Sequence, residues 1–373
     1  MKIIHLSDLH LGKKLNDFSL YDDQEYILRK ILSVIDDESP DGIIIAGDIY
    51  DKSVPSSEAV KLCDRFICSL AERKLPVFII SGNHDSAERI AFASKILDTS
   101  GIHISPVYSG TVSPIKLYDE YGAINFYMLP FIRPVSVKNI FPDVEITSYT
   151  DTVNAAVNAM KIDFNERNII ITHQFVTGAS SCDSEEHLVG GIENVDSSAF
   201  DGFDYVALGH IHNPQNIGSE RIRYCGTPLK YSISEANHEK SVTVAELKEK
   251  GNLQIKTVPL KPLRDVRELT DKFDNLIAGE PSDDLISVIL TDEDEITDAM
   301  NKLRRVYKNI MQVKYDNKRT RNTVDPSDKT ASDNKSPIEL FNEFYTIQNN
   351  DEMSEEKNDY IRQLIEKVWG NES

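Results

Sequence analysis

The stretch GIIIAGDIYD, residues 42 to 51, constrains this chain more than any other. Ile43, Ile44, Ile45 and Ala46 form a short continuous apolar run, the pattern of a strand buried on both faces. The run stops at Gly47 and a carboxylate, Asp48, and the carboxyl end of a buried strand in an α/β sheet is where ligands and catalytic groups gather. Asp48 is therefore expected at a cleft. The same grammar recurs in IIHLSDLH (3 to 10), FIISGNHD (78 to 85), IIITHQ (169 to 174) and YVALGHIH (205 to 212). Each is an apolar run followed at once by Asp, Asn or His.

Residues 3 to 99 read as alternating strands and helices, the latter near Phe18 to Ile35, Ser57 to Arg73 and Ala87 to Leu97, which implies crossover connections and a largely parallel sheet. Residues 111 to 130 and 222 to 260 instead carry short alternating segments, such as SVTVAEL and LQIKTVPL around Lys250-Gly251-Asn252, expected as antiparallel hairpins. A helix near Thr152 to Lys161 precedes the strands feeding His173 and His210. The expected class is α/β, two packed sheets with helices outside. At 373 residues and 40% hydrophobic content the chain can supply more than one core. It opens directly on a strand, MKIIHLS, and no stretch approaches membrane-spanning length, so a soluble, cytoplasmic protein is expected. Cys63, Cys68, Cys182 and Cys225 lack paired zinc-type spacing and are expected to be reduced. A net charge of −20 argues against wrapping nucleic acid by bulk electrostatics; any such contact needs metal ions, a local basic patch or a partner.

The strand ends carry the chemistry. Asp8 and His10 are two residues apart and project from the same side if strand geometry continues, and His210 and His212 repeat the device. With Asp48, Asn83 and His173 they supply two carboxylates, one amide oxygen and four imidazoles, enough for two metal ions sharing one carboxylate. Mixed nitrogen and oxygen ligation suits manganese, iron or zinc better than magnesium or calcium. Two cations about 3.5 to 4 Å apart lower the pKa of a bridging water and stabilise both oxygens of an in-line displacement at phosphorus. Any one of these pieces alone is more often a turn or a cap; the joint order carries the reading.

Asp8-Leu9-His10, Gly47-Asp48, Gly82-Asn83-His84-Asp85, His173 and Gly209-His210-Ile211-His212 resemble the signature of the calcineurin-like metallophosphoesterases, over residues 1 to about 260. The longer strings SDLHLGK, AGDIYD, SGNHDS, LPFIRP and CGTPLKYS resemble the nuclease subunits of that family. The resemblance implies a four-layer αββα sandwich with a small capping domain and partner-binding helices. It implies that Asp8, His10, Asp48 and His212 hold one metal, that Asp48, Asn83, His173 and His210 hold the other, and that both ions are most simply manganese. His84 is implied to face the scissile phosphate, where an imidazole assists the leaving oxygen. Asp85 either orients His84 or caps the helix beginning near Ala87. His5 is expected to face away as packing, and His103, His187 and His238 to be surface or loop residues.

Lys13, Lys14, Lys52 and Arg89 follow the ligand motifs and are placed to meet phosphates if their loops curl inward, although any single one is more often a solvated side chain. The segment 176 to 194 is Gly- and Ser-rich and is expected as a flap. The domain plan is 1 to 262 for the phosphoesterase, 263 to 316 for a small α/β domain, 317 to 335 for a disordered linker and 336 to 373 for two amphipathic helices. The small domain reads as a helix near Val266 to Leu276, strand LISVILT, a helix from Glu295 to Asn309 and strand IMQVKY. From Lys302 to Arg321 eight Lys or Arg, among them Arg304, Arg305 and Lys308, face the single acid Asp316. Such an island suggests a phosphate-backbone contact, or else a solvated helix face running into a basic linker; the resemblance makes it a cap over DNA. Phe341 and Phe344, then Ile361, Leu364, Ile365 and Val368, line helices too short to stand alone, so they want a partner. The resemblance names an ATPase subunit with a coiled coil, fitting the lack of GxxxxGK[ST] here, and a homodimer through the phosphoesterase domain. The expected function is a manganese-dependent DNA nuclease subunit. A phosphoesterase acting on a small molecule or protein is the alternative with the same chemistry, and a non-catalytic scaffold is the alternative without it.

Overall fold

The computed structural model describes residues 1–185, 194–321, 336–349 and 351–369. They divide into two compact units, Met1–Val266 and Arg267–Ser373.

The first unit is built on two six-stranded sheets. One runs in the order Leu253–Pro259, Ser241–Leu247, Lys2–Leu6, Gly42–Ala46, Val77–Ile80, Ile102–Ile104. The other runs Gln215–Ile217, Ser219–Tyr224, Tyr205–Leu208, Arg167–Thr172, Gly122–Met128, Ile115–Asp119. Alternate side chains of the inner strands point to opposite faces. Ile3, Ile44, Ala46, Phe78 and Ile80 meet Phe126, Met128, Ile169, Ile171 and Ala207 between the sheets, where Phe78 stacks on Phe126 at 4.2 Å between ring centroids. The opposite set, Ile4, Ile43, Ile45, Val77 and Ile79, is equally buried and belongs under the helices Tyr21–Glu38 and Ser57–Glu72, which bury Ile27, Ile31, Leu62 and Phe66. The second sheet's outer face, with Tyr127, Ile170 and Val206, packs with Tyr149, Val153 and Ala156 of the helix Tyr149–Ala159. Continuous apolar runs thus mark strands covered on both sides, and the layers run helix, sheet, sheet, helix.

Register decides where the strand ends fall. Lys2–Leu6, Gly42–Ala46 and Val77–Ile80 are parallel, with Leu6 opposite Ile45 and Ala46 opposite Ile80. Arg167–Thr172 and Tyr205–Leu208 are parallel with Ile171 opposite Ala207. Their carboxyl ends therefore emerge together, sheet by sheet. The helix expected over Ala87 to Leu97 is two short ones, Ala87–Ile90 and Ser94–Leu97, broken where Ala93 adopts φ 59°.

The second unit holds a three-stranded sheet, Val266–Asp271, Ser282–Leu290 and Tyr307–Tyr315, whose core includes Phe273, Ile286, Val288, Leu303 and Ile310. Two sequence expectations fail here. Val266–Asp271 is an edge strand rather than a helix, and only Phe273–Ile277 is helical, started where Asp292 accepts from Phe273 N. The helix expected from Glu295 to Asn309 is confined to Ala299–Leu303, because Tyr307 and Ile310 belong to a strand paired with Ser282–Leu290. Pairing overrides what the helical spacing of these residues suggested locally. The expected linker opens with a helical turn, Lys318–Arg321, capped by Asn317 Oδ1 on Thr320 N; its remainder, 322–335, lies outside the described residues. Pro337–Asn349 starts with Ser336 and Glu339 bonded reciprocally, and it lies against Glu355–Trp369 with Lys357 Nζ on the Tyr345 hydroxyl at 3.2 Å.

Candidate metal centre

Beyond Leu6 and Ala46 the chain runs on as two parallel loops, Asp8 N donating to Gly47 O, His10 N to Asp48 O and Leu11 N to Ile49 O, at 2.9–3.0 Å. Asp8, His10 and Asp48 have φ of 53°, 44° and 49°, and His210 has φ 100°. Four non-glycine residues in left-handed backbone are costly, of order 1 kcal/mol or more each, and such outliers gather at functional sites. They correct the simple expectation that strand alternation continues. The carboxylate and the ring of Asp8 and His10 come together because the loop has left strand geometry.

The side chains converge. His173 Nε2 lies 3.3 Å from Asp48 Oδ2, 3.9 Å from Asp8 Oδ1 and 3.0 Å from Asn83 Oδ1. His210 Nδ1 lies 2.9 Å from Asn83 Oδ1. His10 Nε2 is 3.7 Å from Asp48 Oδ2 and 3.1 Å from His212 Nε2. Asp8, His10, Asp48, His173, His210 and His212 are all buried. The two sheets touch at this point. His173 Nδ1–H donates to Ala46 O at 2.8 Å, and a Cβ on Gly209 would collide with that carbonyl and lie 2.6 Å from His173 Nδ1. Gly47, at φ 90°, would likewise drive a Cβ into the His173 ring. The glycines of GD and GH are thus demanded by the approach of one sheet's end to the other's.

Electrostatics mark the cluster as incomplete by itself. Burial raises Asp8 to about 6 against the pull of His173. Burial works against Asp48 too, yet His173, His10 and His84 hold its carboxyl well below the usual range. Burial opposes charge on His173, but Asp48 and Asp8 outweigh it and lift it to about 9. Burial holds His10 well below its ordinary value. His10 Nδ1 is buried with no hydrogen-bond partner among the described residues. With Nδ1–H committed to Ala46 O, Nε2 is the His173 nitrogen that faces a carboxylate oxygen and an amide oxygen, and loss of its proton leaves three acceptors converging. Acceptors gathered in this way fit divalent cations, and the nitrogen and oxygen mixture fits the transition-metal class. The groupings Asp8–His10–His212 and Asp8–Asp48–His173 each bring ligand atoms within 4.8 Å of one another.

His84 stands beside the cluster, Nε2 3.9 Å from Asp48 Oδ2, with 11% of its side chain exposed. Asp85 does neither thing expected of it. It accepts from the backbone N–H of Ile49, Tyr50 and Gly82, each at 3.0 Å, tying two strand-end loops together. Those N–H groups have left their ladders and need an acceptor. The Asp51 carbonyl orients His84 instead, accepting from Nδ1–H at 3.0 Å, and Ser86 caps Ala87–Ile90. Lys13 is paired with Asp51 at 2.8 Å, while Lys14, Lys52 and Arg89 are exposed. Arg304, Arg305 and Lys308 are exposed in the second unit, Lys308 beside Asp283 at 2.8 Å. The described part of the expected flap is clamped rather than loose. Val176 bridges Val195, Glu185 Oε1 accepts from His212 N at 2.5 Å, and Ser184 Oγ meets His212 Nδ1 at 2.7 Å; residues 186–193, His187 among them, lie outside the described residues. Sequence reasoning passes over Ser184, Glu185, Glu235 and Lys240, the first two inside the segment read as a flap and the last two just after the string CGTPLKYS. His5 packs as expected, its Nδ1 2.8 Å from the Tyr205 hydroxyl. His103 sits on the edge strand Ile102–Ile104, stacked on Phe78.

The sequence model of the calcineurin-like phosphoesterases matches residues 1–214. The chain belongs to that family. A model described as the type 5 capsule protein repressor C-terminal domain matches residues 259–349. Within the phosphoesterase family the chain is 36% identical, over all of both sequences, to the D subunit of nuclease SbcCD of Staphylococcus epidermidis. Among solved structures, TT1561 of Thermus thermophilus aligns at TM-score 0.37 and 13% identity, covering 69% of this chain and 98% of that one. A dimetal phosphatase from Danio rerio aligns at 0.39 and 12%, covering 70% and 98%. The assignment rests on the family model and the full-length relative, not on these two alignments. Among the described residues no helix is long and apolar enough to cross a membrane.

Proposed function

We propose that this phosphoesterase is the DNA nuclease subunit of an SbcCD-type assembly, a two-metal phosphodiesterase acting on double-stranded ends and on single-stranded or hairpin DNA in repair, recombination and replication. The observation that carries the reading is the convergence of two carboxylates, an amide and four imidazoles at five strand ends, in a full-length relative of a nuclease subunit. Asp8, His10, Asp48 and His212 hold one ion and Asp48, Asn83, His173 and His210 the other, with Asp48 shared. Manganese suits this mixed donor set. Ions held there would supply positive charge against the phosphodiester and a lowered pKa for water near neutral pH.

The chain's own groups do the rest. His173 is held by Ala46 O so that Nε2 faces the cluster. His84, fixed through Nδ1 by Asp51 O, presents Nε2 to the phosphate, and as an imidazolium it donates to the leaving oxygen. Asp85 keeps the loops carrying Asp48 and Asn83 in register. Lys13, Lys14, Lys52 and Arg89 supply backbone contacts near the site, and Arg304, Arg305 and Lys308 supply them from the capping domain. The C-terminal helices receive the coiled coil of an SbcC-type ATPase; a groove of about 720 Å³ between them is lined by Phe341, Tyr345, Tyr360 and Ile361. Phe344 and Leu364 are exposed beside it and Ile365 is half-buried; Val368 belongs to the same apolar stripe by sequence. Phe92 and Ile96, 81% and 72% exposed, support a homodimer through the phosphoesterase unit, giving a cytoplasmic heterotetramer. The test is purified protein on linear duplex DNA, with manganese and with chelator, against a small phosphodiester. Metal-dependent shortening of the duplex is expected. Turnover of the small ester with intact DNA would favour a small-molecule phosphoesterase.

A further inference from the structure

The string CGTPLKYS and the residues after it, through Lys240, contain no ligand of the cluster, yet they build one of its most buried polar networks. Glu235 is fully buried and Lys240 is 7% exposed. Lys240 Nζ donates to Glu235 Oε2 at 2.5 Å, to Thr227 Oγ1 at 2.7 Å and to the carbonyl of His212 at 2.9 Å, so all three of its hydrogens are used. The other carboxylate oxygen, Glu235 Oε1, accepts from Tyr231 N at 3.2 Å and from Ser184 Oγ at 2.5 Å, and it lies 3.4 Å from His212 Nδ1. Ser184 Oγ is in turn 2.7 Å from His212 Nδ1.

The hydrogens can be counted. Ser184 has one hydroxyl proton, and it goes to Glu235 Oε1 at 2.5 Å rather than to the weaker acceptor Cys182 Sγ at 3.1 Å. The serine oxygen then offers a lone pair to His212, which must donate from Nδ1. Nδ1–H is fixed by this chain, so Nε2, the nitrogen 3.1 Å from His10 Nε2, is the one that sheds its proton and offers a lone pair to the cluster when an ion binds. An imidazole ligand is tuned by what its second nitrogen donates to.

We propose that Ser184 and Glu235 are positioning residues that hold His212 with Nε2 facing the metal cluster, and that Lys240 anchors the Glu235 carboxylate while pinning the His212 backbone. The inference rests on the proposed metal site and deepens it: the loop after His173 and the segment after His212 form one buttress. His173, by contrast, is held by a backbone carbonyl.

The experiment is calorimetric titration of manganese into chelator-treated full-length protein, comparing wild type with Ser184→Ala and Glu235→Gln. Wild type is expected to take up two ions. Ser184→Ala, which leaves the Glu235–Lys240 pair intact, is expected to weaken one of the two by about 10- to 100-fold and leave the other unchanged. Glu235→Gln is expected to do the same if it folds, which circular dichroism reports; if it does not, Ser184→Ala decides alone. A Ser184→Ala isotherm identical to wild type, or one in which both ions weaken equally, overturns the positioning role. Wild-type protein that takes up no manganese overturns the proposed function itself and this proposal with it.

Discussion

At the scale of single residues, the site is a set of atoms whose hydrogens are already committed. His173 spends its Nδ1 proton on Ala46 O, His84 spends its own on Asp51 O, and Asp85 collects three backbone donors. His84 is the cluster-edge imidazole outside the proposed ligand set. His84→Ser is therefore predicted to lower single-turnover cleavage by about 10²- to 10⁴-fold while leaving manganese uptake and DNA binding unchanged; equal loss of metal would make it a ligand instead. Gly209→Ala places a methyl against Ala46 O and the His173 ring. It is predicted to cost about 1–3 kcal/mol in denaturant unfolding and to weaken metal uptake. The ligand residue types were legible because apolar runs ending in Asp, Asn or His are uncommon and here recur in order. The left-handed backbone of Asp8, His10, Asp48 and His210 was not. Nothing in a single residue's identity announces φ, and Ser184 and Glu235 look like any polar loop residues until the fold brings them to His212.

At the scale of elements, strands covered on both faces were readable from composition alone, since Ile43 to Ala46 and Ile169 to Ile171 leave no polar face to place in water. Elements set by pairing rather than by local pattern were not. Val266–Asp271 and the residues Tyr307 to Asn309 carry helix-compatible spacing, and they become strand because Ser282–Leu290 lies between the two edge strands, whereas the rest of Tyr307–Tyr315 was readable as a strand. The C-terminal helices show the opposite case, where an amphipathic pattern predicts the element and its unpartnered face together. Phe344 and Leu364 are 57% and 44% exposed. The double substitution Phe344→Ala with Leu364→Ala is predicted to weaken capture of the ATPase partner by tenfold or more, about 1.4 kcal/mol. Manganese-dependent cleavage by the isolated full-length chain should not change. Pull-down and cleavage assays on one preparation check both halves, and lost cleavage without lost partner binding would contradict the assignment.

At the scale of the whole molecule, a chain of net charge −20 buries two imidazoles that hold their protons more tightly than a free histidine does. His173 is raised from 6.5 to about 9 and His212 to about 10, in both cases by nearby acceptors and carboxylates that outweigh burial. A raised value means that the folded chain holds these protons more tightly than the unfolded one. Their stabilisation is complete below pH 6.5 and is lost as pH rises through 9. The chelated protein is therefore predicted to lose thermal stability from pH 6.5 to 9. Ligation requires these imidazoles to shed the same protons, so apparent manganese affinity rises over that range and the gap in Tm between loaded and chelated protein widens. A gap that narrows would reverse the sign. The most direct test of the two-ion centre is anomalous diffraction at the manganese edge from crystals of the full-length chain grown with that ion. Two peaks within ligand distance of Asp48, one on the His212 side and one on the His173 side, are predicted. A single peak away from Asp48, or none, would contradict the account.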